Sequence, residues 1–343
     1  MRTCHISGIG SHLPVRRVTN EELTARYGLE VSERWIRDRS GIECRRFADE
    51  GVGTSEMGTL AARAAIADAG IEARQLDLIV FATLSPDHAF PGAGVYLQNR
   101  LGLCDGPDAR FVPALDVRNQ CSGFVYGLSV AVAHVRAGMA DHVLVVGAET
   151  HSAAMDLSSR GKAVASLFGD GAGAVVVSRA DGDRGIRGCY LGADGRHADL
   201  LSQKVWDIRQ RPFIPVDEQG RGRVEPDSLW PSMAGRRVFK HAVERMTQAV
   251  LDTCERHELT TDDVDVFLFH QANLRINEYV ARKLGIDAVK VPANIQRYGN
   301  TTAATIPLLM HECVRDGRIR AGMRVLITVF GSGFTWGTVL IDW

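Results

Sequence analysis

The sequence predicts an α/β protein made of two related halves, and three observations lead to this prediction. Short apolar runs typical of strands alternate with patterns typical of helices. Several blocks of the first half recur in the same order in the second half. The length of 343 residues corresponds to about two domains. We therefore expect one α/β half in residues 1–185 and another in residues 186–343.

Composition and charge argue against several classes of protein. Lys and Arg total 40 while Asp and Glu total 41, and this net charge of −1 predicts no nucleic-acid partner. The sequence lacks an apolar run of about 18 residues and a recognisable secretory signal, so we expect no membrane span and no membrane partner. The seven cysteines are scattered without a metal-ligand spacing, which predicts a reduced cytoplasmic setting and no metal site.

The predicted elements follow one another along the chain. The predicted strands are Leu78–Thr83, Val143–Val146, Ala174–Val177, Val266–Phe269, Val325–Val329 and Thr338–Ile341. The predicted helices are Ser55–Ala69, Ser122–Ala137, Arg237–Arg256 and Arg275–Leu284. Between them, Asp194–Met233 is polar and rich in proline, so we expect a long excursion with little regular structure.

The internal repeat is the most informative feature. LDLIVFAT matches VDVFLFHQ, YLQNRLGL matches YVARKLGI, and FGDGAGAVVV matches FGSGFTWGTVLI, all in the same order. The offset that aligns Val112 with Val291 also aligns Cys121 with Asn300. Each of these two residues precedes an apolar, helix-like stretch, so we expect both at equivalent helix N-termini near the centre of the molecule. His270 ends the repeated strand of the second half.

These three residue types fit covalent acyl transfer better than metal binding. The free N–H groups and partial positive charge of a helix N-terminus lower the pKa of a thiol, so Cys121 lies where a nucleophile would be placed. Each residue also has a purely structural alternative. Cys121 could be a buried structural thiol, His270 a satisfied core histidine, and Asn300 a helix cap.

Three glycine-rich stretches suggest a nucleotide site but lack its spacing. GIGSHL, GDGAG and GSGFTWG do not form G-x-G-x-x-G at a strand-to-helix turn, and the last two run into predicted strands. A nicotinamide-dependent dehydrogenase is therefore disfavoured.

The whole chain resembles the β-ketoacyl-acyl-carrier-protein synthase III family of thiolase-like condensing enzymes. The resemblance rests on GIGSHLP, WIRDRSGI, DHAFPG, CSGF, FGDGAGA, HQANLRI, YGNTTAATIP and GSGFTWG. It implies a thiolase-like fold in which two pseudo-symmetric α/β halves form a five-layered αβαβα core. The first half would carry the cysteine, and the second would carry the histidine and the asparagine.

The resemblance also implies a mechanism. Cys121 would take an acyl group from acyl-CoA, and the backbone N–H groups of Cys121 and Ser332 would form the oxyanion hole. His270 and Asn300 would bind the oxygen of a malonyl thioester, probably on acyl carrier protein, and stabilise the enolate left by decarboxylation. The product would be a β-ketoacyl thioester, and no cofactor beyond the CoA thioester substrate would be needed.

Further residues receive roles from the resemblance alone. The residues implied to bind CoA are Trp35, Arg39, Arg160, Arg236 and Asn273. Those implied to border the acyl pocket are Phe90, Phe168 and Phe330, with Phe90 reaching across a homodimer interface. Those implied to dock the acidic carrier protein are Lys240, Arg275, Arg282 and Lys283, whose simpler interpretation is a solvated helix face.

Some positions depart from the family pattern. Asn119 and Gln120 replace small residues before the cysteine, Ser332 replaces a glycine, and Arg236 stands where an asparagine is common. The long excursion also carries Trp206, Phe213 and Trp230. These departures favour a specialised homologue over an enzyme that starts fatty acids from acetyl-CoA. The alternatives are a head-to-head acyl condensing enzyme or non-decarboxylating acyltransferase of the same fold, and a non-catalytic partner subunit.

Overall fold

A computed structural model describes residues 3–182, 184–205, 207–212 and 214–343 of the chain, without the side chains of residues 226 and 227. Trp206 and Phe213, singled out in the sequence, lie outside the described residues. In the part that is described, no helix combines the length and apolar character needed to cross a membrane.

Strands and helices alternate through both halves. The strands are β1 (Thr3–His12), β2 (Arg17–Thr19), β3 (Cys44–Arg46), β4 (Leu78–Ala82), β5 (Ala114–Val117), β6 (His142–Glu149), β7 (Gly171–Ala180), β8 (Gly185–Ala193), β9 (Leu201–Ser202), β10 (Ser232–Met233), β11 (Val266–Phe269), β12 (Arg324–Gly331) and β13 (Thr335–Asp342). The helices are α1 (Asn20–Tyr27), α2 (Glu33–Ser40), α3 (Thr54–Asp68), α4 (Ala93–Arg100), α5 (Gly123–Ala137), α6 (Lys162–Ala165), α7 (Pro226–Leu229), α8 (Gly235–Arg256), α9 (Leu274–Leu284), α10 (Ile295–Tyr298) and α11 (Thr305–Arg315).

Two large sheets repeat one topology. The first has the order β1-β7-β6-β4-β5 and the second the order β8-β13-β12-β11. Within the first, β4 pairs in parallel with β6, and β6-β7 and β7-β1 are antiparallel. Within the second, β11 pairs in parallel with β12, and β12-β13 and β13-β8 are antiparallel. The repeat in the sequence is therefore a repeat of structure, and the division of the chain at residues 185 and 186 stays a prediction.

The elements stack in five layers, as expected. Helix α3 covers the outer face of the first sheet, and α8 covers the outer face of the second. Helices α5 and α11 lie between the sheets, where one apolar cluster joins both of them to both sheets. The residues of the turns that precede the two helices are mostly buried by this layer.

The six predicted strands are confirmed, whereas β1, β5 and β8 of the two large sheets were missed. In β1 the apolar pattern is broken by glycine. A Cβ on Gly8 would lie 2.3 Å from the carbonyl oxygen of Ala65, and one on Gly10 would lie 2.3 Å from that of Ala61. Both glycines let helix α3 contact the strand backbone directly, so close approach replaces apolar side chains here.

The excursion Asp194–Met233 has little regular structure in its described part, as predicted. Strands β9 and β10 form a two-stranded sheet near its two ends, at Leu201 and Met233. This pairing returns the chain to its starting point, so the excursion forms a closed arm rather than a connection across the molecule.

Gly147 of β6 sets how closely the turn before α11 approaches the first sheet. A Cβ at this position would lie 2.4 Å from the carbonyl oxygen of Ala303 and 2.8 Å from its carbonyl carbon. Because backbone cannot yield as a side chain can, we expect Gly147→Ala to lower the free energy of unfolding by about 1–3 kcal/mol, measured by urea denaturation.

Gly127→Ala is the matched control for this experiment. A Cβ there faces only methyl groups of Val145 and Val80, at 3.1 and 3.3 Å, and lies inside helix α5. The gain in helix propensity, about 1 kcal/mol, offsets part of the crowding. An equal loss of stability in both variants would contradict the assignment of a special role to Gly147.

Candidate active site

Cys121 lies in a 3-10 turn, Gln120–Ser122, that leads into helix α5. The thiol residue is 7% exposed. Gln120 has a φ of 45°, a left-handed conformation that non-glycine residues seldom adopt and that costs about 1–3 kcal/mol. The strained residue and the turn together aim the cysteine at the space between the two halves.

His270 and Asn300 come from the second half and are both buried. The N–H of His270 donates to the carbonyl of Thr328 at 2.9 Å, which continues the pairing of β11 with β12. The N–H of Asn300 donates to the carbonyl of Leu167 at 2.8 Å, and its own carbonyl accepts the N–H of Gly169 at 3.1 Å. Asn300 is therefore fixed by pairing with a loop of the first half.

A single cavity of about 410 Å³ brings the three predicted residues together. Cys121, His270 and Asn300 all line it. Three donors are within reach of the Cys121 sulfur: the side-chain amide of Asn300 and the backbone N–H groups of Ser332 and of Cys121 itself. Other predicted site residues that line the cavity are Trp35, Arg39, Phe168, Arg236, Asn273 and Phe330.

Burial decides the protonation of the thiol. It raises the pKa of Cys121 to about 12, and the charge of buried Glu149 acts in the same direction. The donors around the sulfur lower the pKa but do not outweigh burial. We expected the helix N-terminus to lower the pKa of Cys121, and this expectation is wrong for the unliganded site. Desolvation disfavours the buried thiolate more strongly than the donors stabilise it.

Glu149 is the acidic group whose negative charge acts on the Cys121 thiol. It is fully buried at the end of β6, and burial raises its own pKa to about 7. Its carboxyl accepts from the hydroxyls of Ser85 at 2.5 Å and Thr83 at 3.1 Å and from the N–H of Leu84 at 3.2 Å. These bonds hold the loop that follows β4 against the end of β6.

The turn Thr302–Ala304 and the next residue, Thr305, form hydrogen bonds with the side chains of both His270 and Asn300. Nδ1 of His270 lies 2.7 Å from the hydroxyl of Thr305, while Nε2 is buried and has no hydrogen-bond partner within the described residues. Burial lowers the pKa of His270 to about 3, so the imidazole is neutral. Oδ1 of Asn300 accepts the N–H of Thr302 at 2.8 Å, which leaves the amide N–H groups for the cavity.

At the cavity mouth, the guanidinium of Arg39 lies over the Trp35 ring, 4.5 Å from its centroid. Asn273 caps helix α9 by accepting the N–H of Arg275 at 2.9 Å, and its amide donates to the carbonyl of Arg39 at 3.0 Å. Asn273 therefore joins α9 to the end of α2.

Arg160 was expected on the second face of Trp35. The structure pairs it instead with Asp156, at 2.7 Å, and does not place it in the cavity lining. The aromatic ring of Trp35 is covered by Arg39 alone among the described arginines.

The remaining predicted residues separate into two groups. Phe90 is 85% exposed and does not line the cavity of its own chain. The four basic residues proposed for carrier docking are exposed on the neighbouring helices α8 and α9, which begin at the cavity mouth. These residues are Lys240, Arg275, Arg282 and Lys283.

Sequence reasoning missed one wall of the cavity. Leu201 and Met233, from the two ends of the excursion, both line it. The hydroxyl of Ser332 donates to the carbonyl of Leu201, which joins the arm to the residue whose backbone N–H is within reach of the Cys121 sulfur. Only the unusual serine at 332 could have signalled this contact, since a glycine there has no hydroxyl to donate.

The raised pKa of Cys121 predicts how alkylation depends on pH. Below the pKa the thiolate fraction grows about tenfold per pH unit, so alkylation of Cys121 by iodoacetamide should rise steadily from pH 7 to pH 9. Peptide mass spectrometry measures this rate at the single residue. A rate already level near pH 7 would contradict the raised pKa.

Glu149→Gln tests the electrostatic part of the same argument. Above pH 7 the variant lacks the negative charge that raises the pKa of the thiol. Alkylation of Cys121 at pH 9 is therefore expected to be faster in this variant than in the parent chain.

Comparisons with known proteins identify the family. Residues 115–195 match the family described as 3-oxoacyl-[acyl-carrier-protein (ACP)] synthase III, and residues 254–343 match its C-terminal family. The chain is 44% identical over 341 residues to a β-ketoacyl-[acyl-carrier-protein] synthase III of Rhodospirillum rubrum, with 98% of each chain covered.

Solved structures agree with this assignment. The 3-oxoacyl-[acyl-carrier-protein] synthase III of Aquifex aeolicus is 37% identical and superposes with a TM-score of 0.85, covering 99% of this chain and all of that one. The priming β-ketosynthase of the R1128 polyketide pathway is 32% identical, with a TM-score of 0.86 over 99% of this chain and 96% of that one. The chain therefore belongs to the β-ketoacyl-[acyl-carrier-protein] synthase III family, the acyltransferase-type condensing enzymes with a thiolase-like fold.

Proposed function

We propose that this enzyme loads an acyl group from acyl-CoA onto Cys121 and extends it by decarboxylative condensation with a malonyl thioester held on acyl carrier protein. The observation that carries the proposal is the meeting of Cys121, His270 and Asn300 in one cavity. One thiol and several convergent donors are what a thioester-exchanging, enolate-forming reaction requires.

In the first half-reaction, the sulfur of Cys121 attacks the thioester carbonyl of the acyl-CoA. The carbonyl oxygen becomes an oxyanion, which the backbone N–H groups of Cys121 and Ser332 stabilise. The bond to CoA then breaks, and the departing CoA thiolate takes up the proton lost by Cys121. Loss of one such donor typically slows a reaction by about 10²–10³-fold.

In the second half-reaction, the malonyl thioester replaces CoA in the same cavity. His270 and the Asn300 amide donate to its thioester oxygen, so that the negative charge left when CO2 departs is held as an enolate. The enolate carbon attacks the acyl carbonyl on Cys121. The carbon–sulfur bond breaks, the Cys121 thiolate takes a proton from solvent, and a β-ketoacyl thioester is released. No cofactor beyond the CoA thioester enters this scheme.

The cavity mouth supports the choice of substrates. Trp35 and Arg39 offer a ring and a cation to the adenine nucleotide of CoA, with Arg236 and Asn273 beside them. Lys240, Arg275, Arg282 and Lys283 form a basic surface suited to an acidic carrier protein. Arg160 would have to leave Asp156 to contribute. The carrier protein and the seven free thiols favour a cytoplasmic enzyme.

Phe90 supports a homodimer. A phenylalanine that is 85% exposed loses apolar burial unless another surface covers it. We place it at the interface with a second copy, where it reaches the partner's acyl pocket together with Phe168 and Phe330 on the cavity side.

The alternatives are less well supported. Full-length relatives at 40–44% identity are named β-ketoacyl-[acyl-carrier-protein] synthase III, which does not favour head-to-head condensation or simple acyl transfer. A specialised primer stays a prediction. It is consistent with Leu201 and Met233, two apolar side chains of the excursion, in the cavity wall.

Cys121→Ala is expected to abolish acyl-enzyme formation, because no other thiol lines the cavity among the described residues. Intact-protein mass spectrometry after incubation with a panel of acyl-CoA donors measures the label and ranks the primers. Cys254→Ala, which removes another buried thiol, should keep the label. A label that persists in Cys121→Ala would refute the nucleophile.

His270→Ala is expected to acylate Cys121 normally but to lose condensation by about 10²–10³-fold, because it removes one donor from the enolate. Release of CO2 from a malonyl thioester, followed beside acyl labelling, separates the two half-reactions. Normal CO2 release in this variant would exclude the proposed role of His270.

A further inference from the structure

The loop of residues 331–333 carries one of the donors that face the thiol. The backbone N–H of Ser332 is within reach of the Cys121 sulfur. The loop also packs directly against the nucleophile, because a Cβ on Gly331 would lie 3.0 Å from Cβ of Cys121 and 3.2 Å from its backbone nitrogen. The direction of the Ser332 N–H therefore depends on how the backbone of this loop is held.

Local steric contacts do not determine the conformation of the loop. Ser332 stands between two glycines, and Gly333 has a φ of 131°, in the region that favours glycine. A glycine on each side removes the Cβ contacts that restrict the backbone elsewhere. Contacts from outside the loop must therefore hold Ser332 in place.

The carbonyl of Ser332 has a partner that other groups share. It lies 3.0 Å from the hydroxyl of Thr335, which also lies 2.7 Å from the hydroxyl of Ser122. The Ser122 hydroxyl in turn lies 2.9 Å from the carbonyl oxygen of Asn119. Two hydroxyl protons serve these three contacts, so one contact is always without a proton. The Thr335 hydroxyl is therefore an incomplete anchor for the loop.

The hydroxyl of Ser332 is an unshared anchor. It donates its single proton to the carbonyl oxygen of Leu201, its one hydrogen-bond partner among the described residues. A carbonyl oxygen can only accept, so the direction of this bond is unambiguous. The bond fixes the position of the Ser332 Cβ, and the backbone nitrogen is joined to the same Cα.

The Leu201 carbonyl is held by contacts that do not involve Ser332. Strand β9 pairs with β10, where Leu201 lies opposite Met233. At the start of the excursion, Asp194 and Phe334 exchange two backbone hydrogen bonds, of 2.7 and 2.8 Å. The arm therefore supplies a fixed point to which the loop is attached.

We propose that the hydroxyl of Ser332 is a positioning group, which by its bond to Leu201 holds the backbone N–H of the same residue in the direction of the thioester oxygen on Cys121. This inference deepens the proposed function and rests on it, since a fixed N–H at this point stabilises the oxyanion of acyl transfer. It concerns the loading of Cys121, whereas decarboxylation uses the donors of His270 and Asn300.

The test variant is Ser332→Ala, which keeps Cβ and removes only the hydroxyl. Ser202→Ala is the matched control on β9, because the buried hydroxyl of Ser202 has no hydrogen-bond partner within the described residues. Single-turnover acylation of Cys121 over a range of acyl-CoA concentrations gives a maximal rate and a half-saturating concentration for each full-length protein. Release of CO2 from a malonyl thioester is measured on the same proteins without acyl-CoA.

Ser332→Ala should lower the maximal acylation rate about 10–100-fold, because a misplacement of about 1 Å can cost about 10²-fold. The half-saturating concentration and the rate of CO2 release should stay within about twofold of the parent chain, since the N–H acts only in the transition state of acyl transfer. Ser202→Ala should change none of the three. An unchanged acylation rate in Ser332→Ala, an equal loss of CO2 release, or an equal loss of acylation in Ser202→Ala would overturn the proposal.

Ser332→Gly provides a second comparison in case Ser332→Ala folds poorly. Glycine removes both the hydroxyl and the Cβ through which it acts, so acylation should slow at least as much as in Ser332→Ala. Acylation at the parent rate in Ser332→Gly would contradict the positioning role.

Alkylation of Cys121 by iodoacetamide tests the proposal without any acyl substrate. The N–H of Ser332 lowers the pKa of the thiol, so a displaced N–H leaves less thiolate at a given pH. At pH 8 we expect alkylation of Ser332→Ala to be about 2–5-fold slower than that of the parent chain, and alkylation of Ser202→Ala to be unchanged. Equal rates in all three proteins would exclude the role of the hydroxyl. If the parent chain accepts no acyl group from acyl-CoA, the proposed function fails while this measurement still decides the inference.

Discussion

The central layer of helices, shared by two sheets, is the constraint on which the rest of the structure depends. Helices α5 and α11 each face both sheets, so the turns that begin them are largely buried. The close approach of β6 to the second turn is possible only because residue 147 is glycine. Packing of the helices against the two sheets brings the cysteine and the asparagine at these two turns close to each other.

Enclosure also determines the electrical state of the cavity. The three groups that meet there, a thiol, a neutral imidazole and an amide, carry no charge at rest, because burial disfavours the charged form of each titratable one. The donors around them are fixed by the fold and are directed at the cavity. In surroundings with little water such donors interact strongly with a developing anion and need no reorganisation when it forms.

The sequence was sufficient for the architecture and for the three central residues because both follow from periodicity and repetition. Two related α/β halves could be inferred from apolar patterns and the repeat, the five layers followed from the family resemblance, and the offset between the halves paired Cys121 with Asn300. Strand β1 could not be inferred, since its close packing relies on absent side chains. The pKa of Cys121 also could not, because desolvation depends on how completely a group is covered.

Positioning contacts were the least accessible to sequence reasoning. Thr305 is an ordinary helix-start residue until its distance to His270 is known, and the pairing of Arg160 with Asp156 depends on a local loop conformation. Residue types restrict such contacts only weakly. The geometry of these contacts depends on the backbone conformation, which is set mainly by the burial of apolar side chains.

The hydroxyl of Ser332 has one more consequence. It anchors the carbonyl of Leu201, and Leu201 forms part of the cavity wall. The backbone N–H of the same serine faces the sulfur of Cys121. One residue therefore connects a section of the cavity wall to the surroundings of the thiol. A displacement of the arm at Leu201 would shift a backbone donor near the sulfur at the same time.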